Sequence, residues 1–164
     1  MLAAGARDGD LEAYALLVEG SWTRLVRLAR SIVGDADAED VTQEALLAAW
    51  RRIGSLRRPE SVDAWLTRIT VRRCLAHARR RPFHEPLEAA GDPWYRTDPG
   101  AGIDVERMLS ALAPRQRAVM HLTVMEGLTD REIARAMGLR PASVRAHRRR
   151  AREKLERMLR GDAS

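Results

Sequence analysis

Between Pro82 and Gly102 the chain reads PFHEPLEAAGDPWYRTDPGAG, a stretch with four of its seven prolines, three glycines and no helical period. Proline fixes φ and lacks a backbone N–H, so no regular helix crosses such a segment. The rest of the chain divides into residues 1–81 and 104–164, each with room for a small core, and residues 82–103 are expected to form a flexible linker. Trp94 and Tyr95 are unusual in a plain tether. They either pack locally or dock on a domain or partner.

On both sides of the linker apolar residues recur at helical spacing and no segment alternates with period two, which predicts an all-α fold. Asp10 is a candidate N-cap for a helix over Leu11 to Val33, with Tyr14, Leu17, Val18, Leu25, Leu28, Ala29 and Ile32 on its apolar side. Gly34 is placed to end that helix in a left-handed conformation. A second helix is expected from Asp37 to Ile53, then a basic loop over Gly54–Ser61, then a third helix over Val62–Arg80. Beyond the linker, helices are expected at Ile103–Ala113, Pro114–Glu126, Thr129–Met137 and Ala142–Arg160. Thr129 followed by Glu132 is a capping-box pattern.

Several classes are excluded. One cysteine, Cys74, allows no internal disulfide and no four-cysteine zinc site. No apolar run approaches the roughly 20 residues that span a bilayer. Asp8 and Asp10 stand where an export signal needs a basic start, so a cytoplasmic protein without membrane insertion is expected.

The formal net charge of +6 hides a sharp segregation. It is −5 over residues 1–47, +8 over 48–81, −3 over 82–103 and +6 over 104–164. Lys154 is the only lysine, so arginine supplies 28 of 29 positive charges. The last helix is the most basic element, with nine basic residues and two acids between Arg140 and Arg160. On a helical wheel Val144, Ala151, Leu155 and Met158 take one side and Arg145, Arg149 and Arg152 the other. A short capped helix, a turn at Gly138 and a second helix with an apolar back and a guanidinium front predict a DNA-binding helix-turn-helix. Arginine suits that task because its planar fork donates two parallel hydrogen bonds to a guanine edge.

A second face stands out in residues 35–53. Asp40, Gln43, Glu44, Leu47 and Arg51 share one side of the wheel, and Thr42, Leu46, Ala49 and Ile53 the other. An acidic face interrupted by one leucine admits two readings, a protein-docking surface or a merely solvated helix. Trp65 likewise is either core or a platform for stacking a base.

The C-terminal run LSALAPRQRAVMHLTVMEGLTDREIARAMGL resembles two families, the promoter −35 reading domain of bacterial sigma factors and the LuxR-type output domain. Ser143-Val144-Arg145 and Arg150-Ala151-Arg152-Glu153-Lys154-Leu155 are more similar to the sigma factors. The N-terminal half decides between them. Gly9-Asp10, Ala13-Tyr14, Leu17, Leu25, Leu28-Ala29, Gly34-Asp35, Ala38-Glu39-Asp40, Gln43-Glu44, Leu47 and Ala49-Trp50-Arg51, followed by Ala64-Trp65-Leu66 and Arg68-Ile69, resemble the first conserved domain of extracytoplasmic-function (ECF) sigma factors.

The resemblance implies a subunit that binds core RNA polymerase and directs promoter-specific initiation. It implies docking of Asp40, Gln43, Glu44 and Leu47 on the clamp helices of the largest subunit. It implies that the Gly54–Ser61 loop and the following helix open the promoter −10 element, with Arg57, Arg58, Ser61, Arg68, Arg72, Arg73, Arg79 and Arg80 along the displaced strand. It implies a −35 contact through Arg115, Thr129, Ser143, Arg145, Arg148, Arg149 and Arg152, a touch on the flap of the second-largest subunit, and an anti-sigma factor as a further partner. The acidic linker would thread toward the active-site cleft. The alternative is a stand-alone LuxR-type regulator. Four positions depart from the family pattern and bear on base preference: Arg72 where asparagine is frequent, Ala76 for aspartate, His147 for arginine, and Arg148 for an apolar residue.

No enzyme or cofactor is expected, since the sequence has no glycine-rich phosphate loop and no nucleophile–base pair. Cys74, His77 and His84 lack the fourth ligand of a closed zinc site, so no metal is expected and Cys74 is read as buried. Asp35, Asp37, Glu39 and Asp40 are explained by the positive end of a helix dipole.

Overall fold

The computed structural model describes residues 1–80 and 105–160, with the side chains of residues 105–107 left aside. The described residues are helical, with two short 3₁₀ turns and no strand. In order they are α1 (Leu2–Arg7), α2 (Leu11–Val33), α3 (Asp35–Trp50), 3₁₀ turns at Ile53–Ser55 and Pro59–Ser61, α4 (Val62–Arg80), α5 (Val105–Ser110), α6 (Pro114–Val124), α7 (Asp130–Met137) and α8 (Pro141–Leu159). They form two compact units that divide near the end of α4. The expected linker, with Trp94 and Tyr95, lies outside the described residues.

In the N-terminal unit, Asp10 caps α2 as expected, its Oδ1 accepting from the backbone N–H groups of Glu12 (2.9 Å) and Ala13 (3.1 Å). The one element the sequence did not signal is α1. Six residues are too short for a periodic pattern, and the helix is held from outside, by burial of Ala3 and Ala6 against α2 and the 3₁₀ turns. Gly34 differs from expectation. It ends α2 at φ 90° and ψ 172°, a positive φ with extended ψ, and α3 begins at the next residue, so one glycine reverses the chain between two helices. The helix expected to reach Ile53 stops at Trp50, and Ile53 is buried from a 3₁₀ turn instead.

The core joins Ala6, Tyr14, Leu25, Leu46, Ala49, Ile53, Leu56 and Leu66, with Trp22, Trp50 and Trp65 packed on it. Trp65 is thus part of the packing, one of the two readings its sequence allowed. Tyr14 donates its hydroxyl to the Leu46 carbonyl across α2 and α3 (2.5 Å), and its ring lies 4.9 Å from that of Trp50. Burial pushes the Tyr14 phenol up to about 12.

In the C-terminal unit, α6, α7 and α8 surround Leu112, Ala118, Val119, Leu122, Ile133, Ala134, Val144 and Ala151, all buried. The capping box is formed: Glu132 Oε2 accepts from the Thr129 N–H (2.8 Å) and hydroxyl (2.7 Å), and Thr129 Oγ1 accepts more weakly from the Glu132 N–H (3.4 Å). Gly138 makes the expected turn, closing α7 in a left-handed cap at φ 68° and ψ 39°. Proline opens both α6 and α8, where a missing N–H costs no intrahelical bond.

Candidate polymerase-docking and DNA-binding surfaces

Burial of one side of α3 makes its other side. Ala38, Val41, Thr42, Ala45, Leu46 and Ala49 are buried, and Thr42 spends its hydroxyl on the Ala38 carbonyl (2.7 Å). What remains outward is Glu39, Asp40, Gln43, Glu44 and Leu47, the leucine 58% exposed. Glu44 Oε2 lies 3.8 Å from Arg73 Nη1 on α4, so the acidic face abuts the basic helix. The four residues expected to dock are therefore brought together on one exposed surface. A carboxylate cluster beside an exposed leucine can attract a basic partner at long range and supply apolar burial on contact.

The basic stretch is likewise spread over the outside of its unit. Arg57, Arg58, Arg68, Arg72, Arg79 and Arg80 are exposed, while Arg73 and Ser61 are half-buried. Ser61 donates its hydroxyl to the Arg58 carbonyl (2.8 Å), which closes the turn that leads into α4. From α2, Arg24 reaches Thr67 Oγ1 (2.8 Å) and Asp63 (3.3 Å), so an arginine outside the expected set pins α4 in place. Arg81 lies outside the described residues. Leu66, Thr67, Thr70, Val71 and Cys74 form the buried side of α4. Burial pushes the Cys74 thiol up to about 12, which keeps it protonated and a poor metal ligand. His77 Nε2 sits 3.2 Å from Asp37 Oδ2, and His84 lies outside the described residues.

On α8, Val144 and Ala151 are buried and Leu155 and Met158 half-buried, opposite exposed Arg145, Arg149 and Arg152. Arg115 on α6 and Thr129 at the start of α7 are exposed, and Ser143 is half-buried in the first turn of α8. Arg148, expected among the DNA contacts, is engaged inside the unit: its Nη2 donates to Asp130 Oδ1. Its side chain is 26% exposed, against 62% for Arg145 and 69% for Arg149. The other oxygen of that carboxylate, Oδ2, lies 3.8 Å from Arg145 Nη1. The sequence reading missed Asp130, because an acid in a helix's first turn is already accounted for by the dipole. An arginine replacing an apolar residue on the packed flank of α8 was the signal that α7 must supply an anion.

His147 sits half-buried on α8, and burial, then the Arg115 and Arg150 cations, hold its imidazole below the usual value. An imidazole kept neutral can both donate and accept a hydrogen bond.

The described residues thus carry an acidic face with an exposed leucine on α3 and exposed arginines on both α4 and α8. Residues 17–82 match Sigma-70 region 2 and residues 103–155 match Sigma-70, region 4. The ECF RNA polymerase sigma factor SigM of Mycobacterium tuberculosis (strain ATCC 25618 / H37Rv) is 36% identical over 92% of this chain and 79% of its own length. Among solved structures, CnrH in complex with the cytosolic domain of CnrY superimposes with a TM-score of 0.66 at 27% identity, covering 99% of this chain and 97% of CnrH. The sigma factor RpoE from Bartonella quintana, solved with the anti-sigma factor NepR, shares the fold with a TM-score of 0.70 at 21% identity over 93% of this chain and all of that one. The chain belongs to the ECF family of RNA polymerase sigma factors. It directs promoter-specific transcription initiation together with core RNA polymerase, and a stand-alone LuxR-type regulator is not favoured.

Proposed function

We propose the following division of labour. Residues 1–81 dock on the clamp helices of the largest polymerase subunit through Asp40, Gln43, Glu44 and Leu47. The same unit opens the −10 element and holds the displaced strand along Arg57, Arg58, Ser61, Arg68, Arg72, Arg73, Arg79 and Arg80. Residues 104–164 read the −35 element with Arg115, Thr129, Ser143, Arg145, Arg149 and Arg152 and touch the flap of the second-largest subunit, and residues 82–103 link the two. The chain works in the cytoplasm, carries no catalytic activity of its own, and has an anti-sigma factor as a further partner.

The observation that carries this reading is the presence of both Sigma-70 regions, in order, in one chain whose charge changes sign between the docking face and the DNA-facing helices. A duplex-binding regulator accounts for the second half only. Melting is thermodynamically demanding, because unstacking and unpairing cost free energy that contacts to the single strand must offset. The exposed arginines of residues 48–80 would supply such contacts.

Run-off transcription with purified core polymerase, on a promoter found by mapping start sites after overexpression, tests it. Transcripts that start at that promoter only when the chain is added are expected. Tight duplex binding without initiation would overturn the reading, as would metal-dependent cleavage of the DNA. The docking face has its own test: replacing Asp40 and Glu44 together by alanine should weaken core-polymerase binding about tenfold, or about 1.4 kcal/mol. Unchanged core affinity in that double variant removes the assignment of the face.

A further inference from the structure

One carboxylate on α7 faces two arginines of α8. Arg145 and Arg148 are three residues apart and so share a side of their helix, and Asp130 offers one oxygen to each: Oδ1 accepts from Arg148, and Oδ2 lies 3.8 Å from Arg145. The two contacts differ in kind. Arg148 and Asp130 are both about a quarter exposed, which strengthens their attraction relative to a surface pair and orders both side chains. Arg145 is 62% exposed and approaches the carboxylate at Coulombic rather than hydrogen-bond distance, so its guanidinium remains free to donate outward. Arg148 thereby holds the carboxylate, and the carboxylate limits the directions in which Arg145 can point.

We propose that Asp130 and Arg148 are positioning residues which preorganise Arg145 to read one base edge in the −35 element, and that Arg148 itself neutralises no phosphate. The inference rests on the assignment of α8 to the −35 duplex. A long arginine that reaches DNA unguided gains mainly phosphate affinity. One held by a fixed carboxylate loses less side-chain freedom on forming a bidentate contact, and its reach is confined to one position. An acid beside a DNA-facing helix also lowers affinity for any polyanion. The pair therefore trades general affinity for discrimination.

The test uses holoenzyme assembled from core polymerase and full-length chain, selecting from duplexes with a randomised −35 segment, together with the salt dependence of binding to the best sequence. In Arg145→Ala one base position should lose its preference. Arg148→Met and Asp130→Asn should relax preference at that same position by about tenfold, and Asp130→Asn should bind unrelated duplexes more tightly. The salt slope of Arg148→Met should equal that of the unaltered protein, whereas loss of a phosphate contact would reduce its magnitude by about 0.9. A slope reduced in that way, with base preferences intact, would overturn the proposal. Relaxation spread evenly over all positions in Arg148→Met would also overturn it, because that is the mark of a merely loosened domain. If the unaltered holoenzyme selects no −35 sequence, the underlying assignment of α8 fails instead, whatever the variants do.

Discussion

The two helical units differ in what they expose and in the balance of forces behind it: the N-terminal unit carries an acidic face beside exposed arginines, and the C-terminal unit carries a basic helix. The N-terminal unit relies mainly on apolar volume: Leu25, Leu28, Ile32 and Leu66 are fully buried, and Trp22, Trp50 and Trp65 pack on the cluster that holds Tyr14, Leu25 and Leu66. Among the described residues the C-terminal unit buries fewer apolar side chains. It adds directional devices, a capping box at Thr129, a left-handed glycine at 138, and the Asp130–Arg148 pair between α7 and α8. Docking on a protein needs a stiff face, which a large core supplies. Reading a groove needs one helix held at a fixed angle, which caps and interhelical bonds set more sharply than nondirectional packing.

That contrast can be broken first where the effect is largest. Leu66→Ala empties volume in the middle of the N-terminal core and should cost about 3 kcal/mol. Trp22, Trp50 and Trp65 all lie in this unit, so urea unfolding followed by tryptophan fluorescence should show an early transition. Far-UV signal from the C-terminal helices should be retained through it. A single shared transition would mean that the units do not unfold independently.

Thr129→Ala should cost the C-terminal unit about 1 kcal/mol and leave the fluorescence transition in place. Its pH dependence sharpens the point. The Thr129 hydroxyl, then its backbone N–H, hold the Glu132 carboxyl below the usual carboxylate range. A depressed folded-state pKa contributes stability that is present above the unfolded value and lost as pH falls through the folded one. The acid limb of C-terminal unfolding, measured by circular dichroism, should therefore be shallower in Thr129→Ala.

The smallest effect is expected at His147. Its folded pKa is lowered, so as pH falls through the ordinary imidazole value the unfolded chain takes up a proton that the folded chain does not. Stability should decline in that window, and His147→Gln should flatten the decline between about pH 7 and pH 5. An unchanged slope would show that neither burial nor the Arg115 and Arg150 cations lower this imidazole.

Much of this was legible from sequence because helical periodicity fixes where a side chain points relative to its own axis. The buried Thr42, Leu46 and Ala49 and the exposed Asp40, Gln43, Glu44 and Leu47 fall where the wheel puts them, as do Val144 and Arg145. Asp10 and Thr129 with Glu132 form the caps their chemistry predicts, because a cap is decided within four residues, and Gly138 makes the expected turn. Helix α1 escaped notice since its stability comes from α2 rather than from its own six residues. The pairing of Arg148 with Asp130 escaped for a related reason: the partner lies on another helix, 18 residues away.

The sequence by itself determined the helical class, the presence of two helical units, most of the capped ends and the sign of each exposed face. All of these follow from local backbone chemistry and the 3.6-residue turn. The tertiary structure alone decided which charges meet. Whether Arg148 reaches a phosphate or Asp130, 18 residues away, depends on the angle and distance at which α7 crosses α8. That crossing is set by the packing of Ile133, Ala134, Val144 and Ala151, which no single helix specifies.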